Sequence, residues 1–201
     1  MSDTPLHLAI LVGSTREGRL SPVIARWFIE HVRATADVTV DVIDLAELAL
    51  PAAMPEVPTA EIVAYRERLA AADGFVMVVP EYNHSFPAAL KQAIDFAHGE
   101  WQAKPVGFVS YGGFAAGLRA VEHLRGVMAE LHAVTMRDTV SFQNAWDAFD
   151  AEGQPANPGG SASAAEVMLH QLTWWASALR RARGAEAYTV APDSQRLVGA
   201  A

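Results

Sequence analysis

The 201-residue chain has no cysteine, which removes disulfides, thiol nucleophiles and cysteine-ligated metals. It has no run of lysine or arginine, and its net charge is −8. Such a surface is repelled by phosphate backbones and anionic lipid, so neither nucleic acid nor a membrane is expected as a partner. No apolar stretch approaches the roughly 20 residues of a membrane span. The opening MSDTPLHLAILVG also lacks the basic segment of a secretory signal. A soluble, cytoplasmic protein is expected. Two nucleotide-binding motifs are missing as well: neither G-x-x-x-x-G-K-[ST] nor G-x-G-x-x-G occurs. His31, His98, His123, His132 and His170 show no metal-ligand spacing. Ser110-Tyr111-Gly112 imitates half of a nucleophile elbow, but Phe108 stands where G-x-S-x-G requires glycine.

What is present is a regular alternation. Apolar residues make up 51% of the chain, ample for a folded core. His7–Val12, Phe75–Val79 and Pro105–Ser110 are continuous apolar runs, the pattern of strands covered on both faces. Val38–Asp44 alternates apolar and polar residues, and a stretch around Ala133–Phe142 mixes them, as edge strands do. Helices are expected over about Ser21–Ala36, with Ser21 as N-cap and Pro22 first in the helix, and over Ala60–Ala72. Another begins at Pro87, whose φ is already set, with Leu90, Ile94 and Ala97 on one face. Val121, Leu124 and Met128 mark a fourth, and about Ala164–Arg183 a fifth, with Met168, Leu172, Trp175 and Leu179 on its face. Residues 143–163, rich in Gly, Pro, Asn and Asp, read as an excursion.

Strands alternating with helices imply parallel βαβ units. With the apolar strands central and the mixed ones at the edges, the fold class is α/β, a flavodoxin-like three-layer sandwich on a five-stranded parallel sheet of order 2-1-3-4-5. One domain is expected over residues 1–184, with 185–201 as a flexible tail.

In such a sheet, ligands bind at the switch point between the first and third strands. The loops that converge there are GSTREGRLS, PEYNHSF and SYGGFAAG. Ser14, Thr15 and Ser21 offer hydroxyls and Arg16 a guanidinium beside a helix N-terminus, which suits a phosphate. Tyr82 and Asn83 offer a flat surface and an amide, and the Gly112-Gly113 turn admits close approach of a ligand to the backbone.

The string PEYNHSFPAALKQAID resembles the PEYN-x-S-x-P-x-x-L-K-x-A-x-D motif of the NAD(P)H-dependent FMN reductase family, flavodoxin-like quinone, azo-dye and chromate reductases. The likeness covers about residues 7–140. It implies FMN as cofactor and NADPH or NADH as hydride donor. It also implies a small-molecule electron acceptor and a homodimer or homotetramer. Carried over by residue, Ser14, Arg16 and Ser21 would hold the phosphate, and Arg19 would share or replace Arg16. Pro80, Glu81, Tyr82 and Asn83, with Ser110, Tyr111, Gly112 and Gly113, would hold the ring system. Because the flavin carries the chemistry, no catalytic side chain is named. The alternative is a flavodoxin-type electron carrier or flavin-sensing interaction protein, which would be indifferent to NAD(P)H.

Overall fold

A computed structural model describes residues 4–190. Strands β1 (Leu6–Val12), β2 (Val38–Asp44), β3 (Gly74–Pro80), β4 (Pro105–Tyr111), β5 (Val134–Thr135) and β6 (Val140–Phe142) form one parallel sheet. Its order is β2-β1-β3-β4-β5, and β6 also pairs with β4, so the expected order holds. The helices are α1 (Ser21–Thr35), α2 (Ala60–Ala71), α3 (Ala88–Asp95), α4 (Leu118–Glu130) and α5 (Pro158–Ala185).

The apolar strands are buried on both sides because alternate residues serve different layers. Leu8, Ile10, Val12, Val76, Val78 and Val109 meet α1 and α5 through Ile24, Phe28, Met168 and Leu172. Ala9, Leu11, Phe75, Met77 and Phe108 meet α2, α3 and α4 through Tyr65, Leu69, Leu90, Ile94 and Leu124. Each fully buried side chain of this size contributes roughly 1.5–3 kcal/mol. The core therefore fixes the strand ends from which the loops leave.

Five local expectations are corrected. The fifth strand is two short ones, β5 and β6, because Arg125 from α4 takes the carbonyls of Met136 and Arg137 at 2.5 and 2.9 Å and draws that stretch out of the ladder. Helix α5 begins six residues before Ala164: the Asn157 side chain accepts from the Gly160 N–H at 3.1 Å and Pro158 opens the helix. Its buried face runs through Met168, Leu172 and Ala176, while Trp174 and Trp175 stay exposed. Pro87 is the N-cap of α3 rather than its first helical residue. The N-cap of α1 is Leu20, and Ser21 is already helical. Within the expected tail, the Glu186 N–H bonds the Ala182 carbonyl and the Tyr188 hydroxyl meets His132 Nδ1 at 2.8 Å, while residues 191–201 lie outside the described residues. No helix among the described residues is long and apolar enough to cross a membrane.

Candidate active site

The three polar loops do converge, at the carboxyl ends of β1, β3 and β4. They line a cavity of about 460 Å³ with Arg16, Arg19, Pro80, Glu81, Tyr82, Tyr111, Gly112 and Gly113 on its walls. That volume lies within the range of small-molecule sites.

The first loop runs from Gly13, fixed to β3 by its N–H on the Val78 carbonyl at 2.9 Å, to the start of α1. Gly18 turns it through a left-handed conformation with φ +64°. Among the described residues, none of the backbone N–H groups of residues 15–20 has a hydrogen-bond partner. Such a row of free amides at a helix N-terminus favours an anion. The side chains divide the work. Arg19 donates to Asp44 at 2.6 Å and to the Ser14 carbonyl at 2.9 Å, tying the loop to the end of β2. The Asp44 carboxylate raises the Arg19 pKa further above its ordinary value. Arg16 has no ion pair among the described residues, and its guanidinium lies 5.8 Å from the centre of the Tyr82 ring. Two arginines that look equivalent in sequence are thus a brace and a free cation.

Ser14 is fully buried, with its hydroxyl 2.7 Å from the Tyr82 hydroxyl, so the first and second loops are joined. Ser21 is fully buried as well, but its hydroxyl has no partner, and neither does the Tyr111 hydroxyl. Burial pushes the Tyr111 phenol up to about 12, so it keeps its proton at physiological pH. The Ser21 and Ser14 hydroxyls pull that pKa the other way, although neither reaches Tyr111 with hydrogen-bond geometry. A buried hydroxyl left unpaired costs about 1–3 kcal/mol, so both are open to a further polar partner.

The second loop is a hairpin. Tyr82 and Ser85 exchange both backbone hydrogen bonds, at 2.8 and 3.1 Å, around Asn83 and His84, which have φ of +50° and +70°. Positive φ at both central residues is the type I′ requirement that glycine and asparagine meet with least strain. His84→Gly is expected to stabilise the protein by about 0.5–1 kcal/mol, seen as a higher urea midpoint. An unchanged or lower midpoint would show that the imidazole makes a compensating contact. The Glu81 carboxylate is already engaged: it takes Arg119 Nη1 at 2.8 Å and the Arg119 N–H at 3.2 Å, capping α4. Asn83 is exposed and borders a neighbouring pocket with Thr15, Arg16, Pro87 and Ala88.

In the third loop the Gly112 N–H bonds the Phe142 carbonyl at 3.2 Å, whereas the Gly113 N–H has no backbone partner among the described residues. Neither glycine has positive φ; that conformation falls on Ala116 and Gly117, at +53° and +84°. The Ser110 side chain is turned away from the cavity, bonding the Ala116 carbonyl at 2.9 Å and the Ser141 hydroxyl at 3.0 Å. A segment the sequence reading passed over completes the wall: Ala145 and Trp146, next to the Gly112-Gly113 turn.

A family model for NADPH-dependent FMN reductases matches residues 6–147. The chain belongs to that family. This FMN reductase is 34% identical over 142 residues to an NAD(P)H-dependent FMN reductase of Schizosaccharomyces pombe, covering 64% of this chain and 70% of the relative. It is 32% identical over 160 residues to an NADPH:quinone oxidoreductase of Arabidopsis thaliana, covering 74% and 81%. In fold it is similar to the flavoenzyme NAD(P)H:acceptor oxidoreductase FerB of Paracoccus denitrificans, with a TM-score of 0.64, 18% identity, and 88% and 98% of the two chains covered. The protein is accordingly an FMN-dependent oxidoreductase that draws on NAD(P)H. The site suits that cofactor: free amides at residues 15–20 and the unpaired Ser21 hydroxyl favour a phosphate, and the Gly113 turn leaves backbone open to a flat ring.

Proposed function

We propose that this FMN reductase passes reducing equivalents from NAD(P)H to a quinone. The observation that carries the reading is the cavity at the switch point, whose wall brings together the unpaired cation Arg16, loop amides without a partner among the described residues, and Tyr111 with its unpaired hydroxyl. Residues 15–20, Arg16 and the Ser21 hydroxyl hold the FMN phosphate. The Tyr111 phenol, kept protonated by burial, donates a hydrogen bond into the site. Tyr82, Asn83 and the Gly113 N–H border the ring system. Ser14, Arg19, Glu81 and Ser110 act through other residues: they hold the three loops in register so that the cavity exists before the cofactor enters. When bound, FMN supplies the centre that accepts hydride and hands electrons on. The protein's part is to bind, orient and neutralise charge.

Quinone is chosen as acceptor on two grounds. One is the Arabidopsis relative, a quinone oxidoreductase by name, which matches 74% of this chain. The other is that the outer wall, with Ala145, Trp146, Gly112 and Gly113, is uncharged and suits a neutral planar molecule. A homodimer or homotetramer is in keeping with the exposed Phe114, Trp174 and Trp175, which a subunit contact would cover. A cytoplasmic setting fits a chain that depends on NAD(P)H.

The test is anaerobic mixing of the FMN-loaded protein with NADPH or NADH, followed by a quinone. Rapid loss of the oxidised flavin band, and its return on adding the quinone, is expected. A protein whose flavin ignores both nucleotides would be an electron carrier. One that bleaches but is not reoxidised by quinones would have a different acceptor.

A further inference from the structure

Trp146 presents a large apolar surface to solvent, 65% exposed, on a segment that has little freedom to move. The Asn144 and Ala145 N–H groups bond the Gly113 and Gly112 carbonyls at 3.1 and 3.0 Å. Asn144 takes the left-handed conformation that asparagine tolerates, and the Ala145–Asp147 turn follows at once. Ala145 beneath it is 2% exposed. On either side, Phe142 and Phe149 pack on each other at 4.8 Å and on Trp27 at 5.4 and 6.4 Å. The indole itself stacks on no other ring among the described residues and donates no hydrogen bond there. Its Cη2 would lie 3.5 Å from a Cβ placed on Gly113. Side-chain space missing at Gly113 is therefore bounded by the edge of an indole, at the mouth of the cavity.

We propose that Trp146 is an acceptor-binding residue: its indole is the wall against which a planar quinone lies over the Gly113 turn. This rests on the reading of the cavity as a flavin site. Charge selects the acceptor over the nicotinamide dinucleotide. The wall next to Trp146 is made of the uncharged Ala145, Gly112 and Gly113, which offer no cation to a pyrophosphate. The unpaired cation, Arg16, belongs to the first loop. A neutral aromatic acceptor needs no cation there and gains the stacking surface. The rigid mounting means that little conformational entropy is lost when it binds.

The experiment compares wild type, Trp146→Ala and Trp146→Phe as FMN-loaded enzymes. Steady-state rates are measured with menadione, a planar quinone, and with ferricyanide, a non-planar inorganic acceptor. Stopped-flow reduction by NADPH is followed separately. An aromatic contact is lost in Trp146→Ala, so kcat/KM for menadione should fall roughly two- to tenfold relative to that for ferricyanide. The loss should appear mainly in KM, and Trp146→Phe should recover most of it. Equal losses with both acceptors, or flavin reduction by NADPH slowed by the same factor, would overturn the assignment. A changed oligomeric mass with an unchanged acceptor ratio would make the indole a subunit contact instead. If wild type reduces menadione and the variants do so equally well, only the role of Trp146 fails. If NADPH never reduces wild-type flavin, the functional reading fails and takes this one with it.

Discussion

Gly117→Ala is expected to lower the melting temperature by about 5–15 °C, the largest loss of any single methyl group added at the site. Gly117 has φ +84°, and a Cβ there would meet the Tyr111 N at 2.7 Å, the Ser110 Cβ at 2.8 Å and the Tyr111 carbonyl at 2.9 Å. Two of those atoms are backbone of β4, which is buried along its whole length and cannot retreat. The left-handed conformation adds roughly 1–2 kcal/mol for a residue with a Cβ, and overpacking adds about 1–3 kcal/mol. The total, about 2–5 kcal/mol, gives the stated shift at some 2–4 °C per kcal/mol for a chain of this size. Gly113→Ala is the control. Its Cβ would meet only the end of the Trp146 ring at 3.5 Å, an ordinary contact, so its melting temperature should stay within about 2 °C of wild type. Thermal unfolding of both apoproteins checks this. Equal effects would mean that the third loop moves freely on the end of β4. Because Gly117 is also the N-cap of α4, where Glu81 meets Arg119, Gly117→Ala should weaken FMN as well.

The contrast between these two glycines marks the limit of what the sequence disclosed. That a tight turn follows β4 was legible from SYGGFAAG. Which glycine needs its freedom was not, because the clash depends on how the chain folds back on Tyr111. The same holds elsewhere. Strands β1, β3 and β4 stood out because burial on both faces leaves a continuous apolar run, and the sheet order followed from which strands were mixed. The break between β5 and β6 depends on Arg125, a helix residue whose reach to the Met136 carbonyl no periodicity records. The start of α5 did have a local signal, Asn157-Pro158, but Gly159 and Gly160 gave the stretch the composition of a loop. In the site, the three loops were located from their chemistry, while the division of labour within them was not visible. Ser14 meets Tyr82 across 68 residues, Glu81 meets Arg119 across 38, and Arg19 meets Asp44 across 25. Those pairings tie the loops to one another and to the sheet, and no local pattern records them. Trp146 went unnoticed because it lies in the Gly- and Asn-rich stretch beyond β6.

Arg16→Ala should weaken FMN by roughly one to two orders of magnitude while leaving riboflavin binding almost unchanged. The two ligands share a ring system and differ in the phosphate, so their comparison isolates recognition of that group. A hydrogen bond to a charged partner contributes about 1.5–3 kcal/mol, and each 1.4 kcal/mol is about tenfold in affinity. Arg16 is the residue that should show this because its guanidinium has no ion pair among the described residues, only the face of Tyr82 at 5.8 Å. Arg19, three residues on, should behave differently. It is held by Asp44 at 2.6 Å and by the Ser14 carbonyl at 2.9 Å, with only 16% of its side chain exposed. Arg19→Ala removes the tie between the first loop and β2, so it should weaken FMN and riboflavin together. Salt provides a second readout. The Arg16–phosphate attraction at an exposed loop is screened over a Debye length of about 8–10 Å. The advantage of FMN over riboflavin should therefore shrink with ionic strength in wild type and shrink less in Arg16→Ala. Titration of each apoprotein with both ligands, followed by quenching of flavin fluorescence, measures all of this. Equal losses of the two ligands in Arg16→Ala would make Arg16 a support of the loop. Selective loss of FMN in Arg19→Ala instead would mean that Arg19 leaves Asp44 for the phosphate, and the roles of the two arginines would be exchanged.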